Sequence, residues 1–263
     1  MKKKRRFGKF HYKMFLLGLN IKTALAKKIK YDDPNLLFED NFEGDEIDSR
    51  KWVKCREQLR HGVLSFWDHK YSYLDGEGHL VLDIAWDGEK GFVRSGAIQT
   101  LGKFQAGYGY YEASIAFPTA PGTWGAFWMM CGNVLENGHG VEIDIVETIN
   151  NEQDECSCAM HWDGYGEKHK MLNSNAIWHR GIYDGKFHTF ALHRTKKAYT
   201  YYIDGEVVWT VTPDRYPTRP TKGYMLLSVE AADWAGAGKA ESIEALPKKM
   251  LVDYVRVYKK KPK

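Results

Sequence analysis

Val141-Glu142-Ile143-Asp144-Ile145-Val146-Glu147 sets three carboxylates in a run that is otherwise apolar and β-branched. That composition favours a strand, and side chains two apart in a strand share a face. Glu142 and Asp144 therefore project together. Glu147 is five positions from Glu142, so in a regular strand it would point the other way. One extra residue in a β-bulge returns it to the shared face. The adjacent apolar pair Ile145-Val146 marks where the bulge belongs. The run thus demands a strand that is bulged between Asp144 and Glu147.

The surrounding chain has the same β character from about Asn35 onward. Leu80-Val81-Leu82-Asp83-Ile84 reads as a strand entered from the turn Asp75-Gly76-Glu77-Gly78. Tyr108 to Phe117 is a long β-prone run. Tyr199 to Ile203, then Asp204-Gly205, then Glu206 to Val211, carries a hairpin signal. Leu251 to Tyr258 alternates with period two and is expected to close the fold beside Leu36 to Phe42. A short helix is expected around Ala240 to Leu246. Many short strands with frequent turns imply an all-β sandwich or barrel. No internal repeat or linker appears after residue 35, and 263 residues with 43% hydrophobic content suit one large domain.

Charge divides the chain in two. Residues 1–30 hold eleven Lys or Arg and no acid, so a net charge of +4 leaves about −7 (4 − 11) on residues 31–263. An acidic body is a poor nucleic-acid binder, because that affinity comes largely from neutralising phosphates. The basic stretch Lys2 to Lys13 precedes a short apolar run, Met14 to Leu19, and then Ala24-Leu25-Ala26. This is the order of a secretory signal, although Lys22 interrupts it. Residues 1–30 are expected to be a leader or tail on a secreted or cell-surface protein. The alternative is a cytoplasmic protein that keeps the tail. No stretch has the length of a membrane span. The four cysteines, Cys55, Cys131, Cys156 and Cys158, show no paired CxxC zinc spacing and are expected to be free, mostly buried thiols.

Three carboxylates in one strand repel one another and lose solvation when buried, so a purely structural strand rarely contains them. Retaining glycosidases need two carboxyls about 5–5.5 Å apart, one a nucleophile and one an acid/base. After the bulge, Glu142 and Glu147 stand about 13 Å apart at the backbone, so their side chains must lean together. Asp144 between them can hold a proton and push the two pKa values apart. Two other readings fit the row. One is a divalent metal held by Glu142, Asp144, Glu147 and His161. The other is an exposed acidic edge strand.

Glu142-Ile143-Asp144-Ile145-Val146-Glu147 resembles the bulged, laminarinase-like catalytic signature of glycoside hydrolase family 16. Gly122 to Met130 is similar to the family's tryptophan strand, and Phe38 to Phe42 with Trp52 to its opening. Arg94 to Thr100 and Gly107 to Ala113 resemble its middle strands, and Leu251 to Tyr258 its closing strand. The resemblance spans about residues 36–258 in order. It implies a single-domain β-jelly-roll sandwich of two antiparallel sheets with a concave substrate cleft, here over residues 31–263. It implies Glu142 as nucleophile, Asp144 as its helper and Glu147 as general acid/base, with no cofactor for catalysis. It also implies a polysaccharide substrate and a monomer. Trp124, Trp128 and Trp234 match positions where rings stack on sugars. His161, Arg94 and Glu230 are candidates for tuning the pair or binding hydroxyls. Asp253 matches a structural calcium ligand. The activity implied is endo-hydrolysis of a β-1,3- or mixed-linkage glucan, with a β-galactan hydrolase or a non-catalytic glycan-binding jelly roll as alternatives. The chain departs from the pattern at Gly125, where relatives commonly carry Pro, at Glu136-Asn137-Gly138-His139-Gly140 and at Glu230.

Overall fold

The structure, a computed structural model, describes residues 29–60, 64–134, 140–150, 153–216, 221–232, 237 and 239–263. In chain order its strands are β1 (Leu36–Asp40), β2 (Val53–Lys54), β3 (Gln58–Leu59), β4 (Ser65–Trp67), β5 (Ser72–Leu74), β6 (Leu80–Asp87), β7 (Phe92–Ser95), β8 (Ala97–Gln99), β9 (Gly109–Ala116) and β10 (Thr123–Gly132). There follow β11 (Gly140–Asn150), β12 (Glu155–Trp162), β13 (Lys170–Asn173), β14 (Ile177–Trp178), β15 (His188–Arg194), β16 (Tyr199–Ile203), β17 (Glu206–Val211) and β18 (Gly223–Ala231). A one-turn helix α1 (Ala240–Glu244) precedes β19 (Lys248–Tyr258).

Two sheets form. The first runs β17-β16-β15-β9-β19-β6-β7-β4-β3, with β1 added on β19 and β5 on β6. The second runs β13-β12-β11-β10-β18-β8-β2, with β14 added on β12. Pairing is antiparallel except between β4 and β7, which run parallel. The chain's expected closure is present: β1 pairs with β19 from Leu36 opposite Tyr258 to Asp40 opposite Val255. Trp52 locks this corner, donating its indole N–H to Asp40 Oδ2 at 2.7 Å. The β16–β17 hairpin turns on Asp204 and Gly205, with φ of 49° and 82°. Two left-handed residues are what a type I′ turn requires and what Asp-Gly supplies at low strain.

One core joins the sheets. Tyr111, Ile115, Leu192 and Tyr201 of the first meet Phe127, Met129, Ile143 and Met225 of the second. The four cysteines are free and buried, as expected. Residues 1–28, which carry the expected leader, lie outside the described residues. Among the described residues, no helix is long and apolar enough to cross a membrane.

Candidate active site

The bulge falls where the carboxylate row requires it. On β10, Met130 stands opposite Glu142, Trp128 opposite Asp144 and Ala126 opposite Glu147, with the register shifting at Phe127/Trp128. On β12 the partners are His161, Ala159 and Ser157, with the shift between Asp144 and Glu147. Each partner set steps by two residues, so all three carboxylates share one face of the second sheet. Ile145 and Val146 both turn into the core, which holds the bulge in place. Their burial is the force that aims Glu147 outward.

The first neighbours of the row come from β10, β12 and β18. Trp124 donates its indole N–H to Glu147 Oε1 at 2.9 Å. Tyr165, in the β12–β13 connection, donates its hydroxyl to Glu142 Oε2. Asp144 Oδ2 is buried without a hydrogen bond, and His161 Nε2 stands 3.5 Å from it. The other nitrogen of His161 meets His169 Nε2 at 3.0 Å, with the two rings stacked. Trp128 donates to Ser228 Oγ at 3.1 Å and packs against Cys55, Trp67, Ala97 and Leu226. That apolar cluster forms one wall beside the carboxylates.

Glu230 lies opposite Trp124 and is almost fully buried. Both its oxygens take Arg60 Nε at 3.3 Å, and the Arg60 guanidinium lies 3.9 Å above the Trp67 ring. Burying a carboxylate is costly unless it is paired, and Arg60 provides the pairing.

These surroundings raise all three carboxyl pKa values. Burial raises the Glu142 carboxyl, while the Tyr165 hydrogen bond and the Arg60 charge pull it back down. Glu147 is pushed up to about 7, chiefly by burial, with the Trp124 hydrogen bond opposing. Asp144 is raised well above the carboxylate range by burial and then by the charges of Glu147 and Glu142. The same burial and neighbouring charges disfavour its ionised form, which eases repulsion along the row. His161 is lowered to about 4 by burial and by His169, so it is a neutral hydrogen-bonding group at pH 7. A retaining pair needs one carboxyl that holds its proton near neutrality, and Glu147, at about 7, meets that need.

Other expected site residues fall elsewhere. Arg94 is on β7 of the first sheet, where it alternates with buried Val93 and Ser95 and so points away from the second sheet. Its guanidinium is held by Asp87 and Asp68, each at 2.7 Å. The structure does not bring it to the row, and its role is to tie strand ends together. Asp253 lies on β19, accepts a hydrogen bond from Ser114 at 3.3 Å, and belongs to none of the ligand clusters among the described residues. Calcium prefers six to eight oxygens, and Asp253 alone offers a single side-chain ligand. Trp234 and residues 136–139 lie outside the described residues. Glu142, Asp144 and His161 do form a cluster with metal-ligand geometry.

The sequence departures have physical causes where the structure describes them. The Gly125 N–H donates to Thr148 Oγ1 at 2.7 Å, and a Cβ there would lie 2.7 Å from the Phe117 ring. Proline would have neither the donor nor the room. Gly140 enters β11 against backbone, where a Cβ would lie 2.5 Å from Cys131 O. Arg60, Tyr165 and His169 went unrecognised in sequence. Only Tyr165, an aromatic between Gly164 and Gly166 just after the His161 strand, carried a local signal.

A face-shared carboxylate row on a two-sheet sandwich defines a glycosidase-type site, and comparison with known proteins agrees. The chain belongs to glycosyl hydrolases family 16, whose profile matches residues 64–256. It is 22% identical over 86% of its length to glucan endo-1,3-beta-glucosidase A1 of Niallia circulans, of which it spans 38%. It is 25% identical over 90% of its length to the keratan-sulfate endo-1,4-beta-galactosidase of Sphingobacterium multivorum, of which it spans 58%. The chain therefore spans less than two thirds of either relative. A Bacteroides ovatus family-16 enzyme of a mixed-linkage glucan locus, solved with a product, shares the fold at a TM-score of 0.74. That match has 24% identity and covers 84% of this chain and 100% of the other.

Proposed function

We propose that the protein is a retaining endo-glycosidase that cleaves internal β-linkages of a glucan, β-1,3-glucan first and mixed-linkage β-glucan next. The observation that carries the reading is the bulge, which sets Glu142 and Glu147 on one face with Asp144 between them. Glu142 attacks the anomeric carbon as the glycosidic bond breaks, and Glu147 gives its proton to the departing oxygen. Glu147, now ionised, takes a proton from water as that water attacks the anomeric carbon and releases Glu142. Asp144 lies between Glu142 and Glu147, and the burial that disfavours its charge limits repulsion along the row. Trp124 and Trp128 offer indole faces to the sugar on the same side of the sheet. A polymeric substrate suits a secreted or cell-surface enzyme. It also suits a monomer, whose open face admits a long chain.

The glucan preference rests on the named activities of the relatives, including the endo-1,3-β-glucosidase and a Rhodothermus marinus beta-glucanase. A reducing-sugar screen over laminarin, lichenan, xyloglucan and agarose tests it, with proton NMR of the first-formed anomer reporting retention. Release from laminarin or lichenan as the β-anomer is expected. No release from either glucan would overturn the substrate assignment, and an inverted product would overturn the mechanism. A second reading, a β-galactan or host-glycan hydrolase, is favoured by the galactosidase relative and by the charged Arg60–Glu230 pair beside the row. Agarose or keratan cleavage in the same screen would select it. Loss of turnover in Glu142→Ala with retained glycan binding separates both readings from a non-catalytic lectin.

A further inference from the structure

Away from the carboxylate row, one stretch of chain from His179 to Asp204 brings four ligand-bearing side chains to one corner of the sandwich. His179 directly follows β14, His188 opens β15, and Asp204 begins the β16–β17 turn. Asp204 Oδ2 receives both imidazoles, His188 Nδ1 at 2.7 Å and His179 Nε2 at 3.3 Å. Its other oxygen is engaged by the Thr189 backbone N–H at 2.7 Å and hydroxyl at 3.3 Å, which fixes the carboxylate plane. The far nitrogen of His188 faces Asp184 Oδ1 at 3.3 Å.

We propose that His179, His188 and Asp204 are a binding site for a zinc-type divalent transition ion, separate from the catalytic row. Two imidazoles and a carboxylate are the donor set such an ion prefers, whereas calcium and magnesium favour oxygen alone. His179, His188 and Asp204 each offer one ligand atom, and these atoms all lie within 4.8 Å of one another. Ligands about 2.0 Å from a tetrahedral zinc are about 3.3 Å apart. The His179–Asp204 separation already has that value, and the His188–Asp204 contact needs to open only slightly. On binding, the ion takes the place of the ring protons now directed at Oδ2, and those protons pass to solvent. His188 then keeps its hydrogen on Nε2, donating to Asp184, an arrangement that orients imidazole ligands in zinc sites. The fourth position is left for water. Side-chain exposure of 19% for His179 and 15% for His188 leaves the site sheltered but reachable. The ion would staple the β14–β15 connection to the β16–β17 hairpin. The neighbouring cluster Asp75, Glu77 and His79 has one imidazole, already committed to Asp75 at 2.8 Å, and serves as the control.

The test is titration of chelator-stripped full-length protein with zinc and, separately, with cobalt(II). One equivalent of zinc is expected to bind at micromolar or lower free metal, and cobalt is expected to give the intense visible bands of a tetrahedral site. His179→Gln and Asp204→Asn should each weaken zinc binding at least about 10-fold, while His79→Gln should not change it. Asparagine tolerates the left-handed conformation, so Asp204→Asn preserves the turn. Without any substitution, zinc should protect His179 and His188 from diethyl pyrocarbonate, read by peptide mass. No saturable binding, protection confined to other histidines, or affinity lost in His79→Gln but kept in His179→Gln would each overturn the proposal.

Discussion

Replacing Trp124 by Phe removes one hydrogen bond from Glu147 and keeps an aromatic ring in place. The lost contact is an indole N–H 2.9 Å from Oε1, which holds the carboxyl's pKa below where burial alone would put it. A hydrogen bond to an ionised group is worth about 1.5–3 kcal/mol, or about one to two pH units at 1.36 kcal/mol each. Water entering the vacated space favours the lower figure. Glu147 must be protonated to act as the acid, and its ordinary value here is about 7. The basic limb of kcat/KM is therefore expected to move from about 7 to about 8. At pH 8 the protonated fraction rises from about 0.1 to about 0.5, and at pH 6 it barely changes. The variant-to-wild-type ratio of kcat/KM should thus be about five-fold higher at pH 8 than at pH 6, even if the variant is slower throughout. Initial rates on the preferred glucan across the pH range measure this, with circular dichroism confirming the fold. A basic limb that stays in place or moves down would refute the assignment of Glu147 as the acid.

The remaining expectations concern the same face. Tyr165→Phe removes the hydroxyl that favours ionised Glu142, so the acidic limb of kcat/KM should move up while the basic limb stays. Glu147→Gln should lower activity by several orders of magnitude yet stabilise the protein at alkaline pH. A carboxyl held at about 7 instead of its ordinary 4.5 costs nothing below pH 4.5 and, above pH 7, costs about 3 kcal/mol. The Tm advantage of the variant, about 5 °C at pH 8, should therefore vanish near pH 4.5. Arg60→Met strands the buried Glu230 carboxylate and should cost about 2–4 kcal/mol in urea unfolding, with much of it recovered by adding Glu230→Gln. Gly125→Ala should destabilise the fold by about 1–3 kcal/mol because its methyl meets the Phe117 ring, and less in a Phe117→Leu background.

What could be foreseen from the chain was what local chemistry decides. Ile145-Val146 located the bulge because two adjacent buried residues leave a strand no other way to keep both inside. Asp204-Gly205 located the hairpin because few residue pairs accept two positive φ values. The shared face of the three carboxylates followed, since it belongs to the run itself once the bulge is in place. Parity in a strand says that two residues share a side, but not which sheet the strand joins. Arg94 is the instance: its neighbours suited a cleft position, yet β7 pairs in the first sheet and its parity turns it outward to Asp68 and Asp87.

The contacts that tune the row were hidden for a different reason. Arg60 and Glu230 are 170 residues apart in sequence, and each is unremarkable where it stands in the chain. Their pairing exists only because β18 runs beside β10, which sets Glu230 opposite Trp124 while the chain ahead of β4 lays Arg60 over Trp67. The consequence reaches the chemistry. Arg60 lowers both Glu230 and Glu142, whereas Glu230 raises Glu142 and Glu147. The pair acts on Glu142 with opposite signs, but on Glu147 only the raising influence of Glu230 appears. A distant ion pair that no motif announces thus reaches both ends of the carboxylate row.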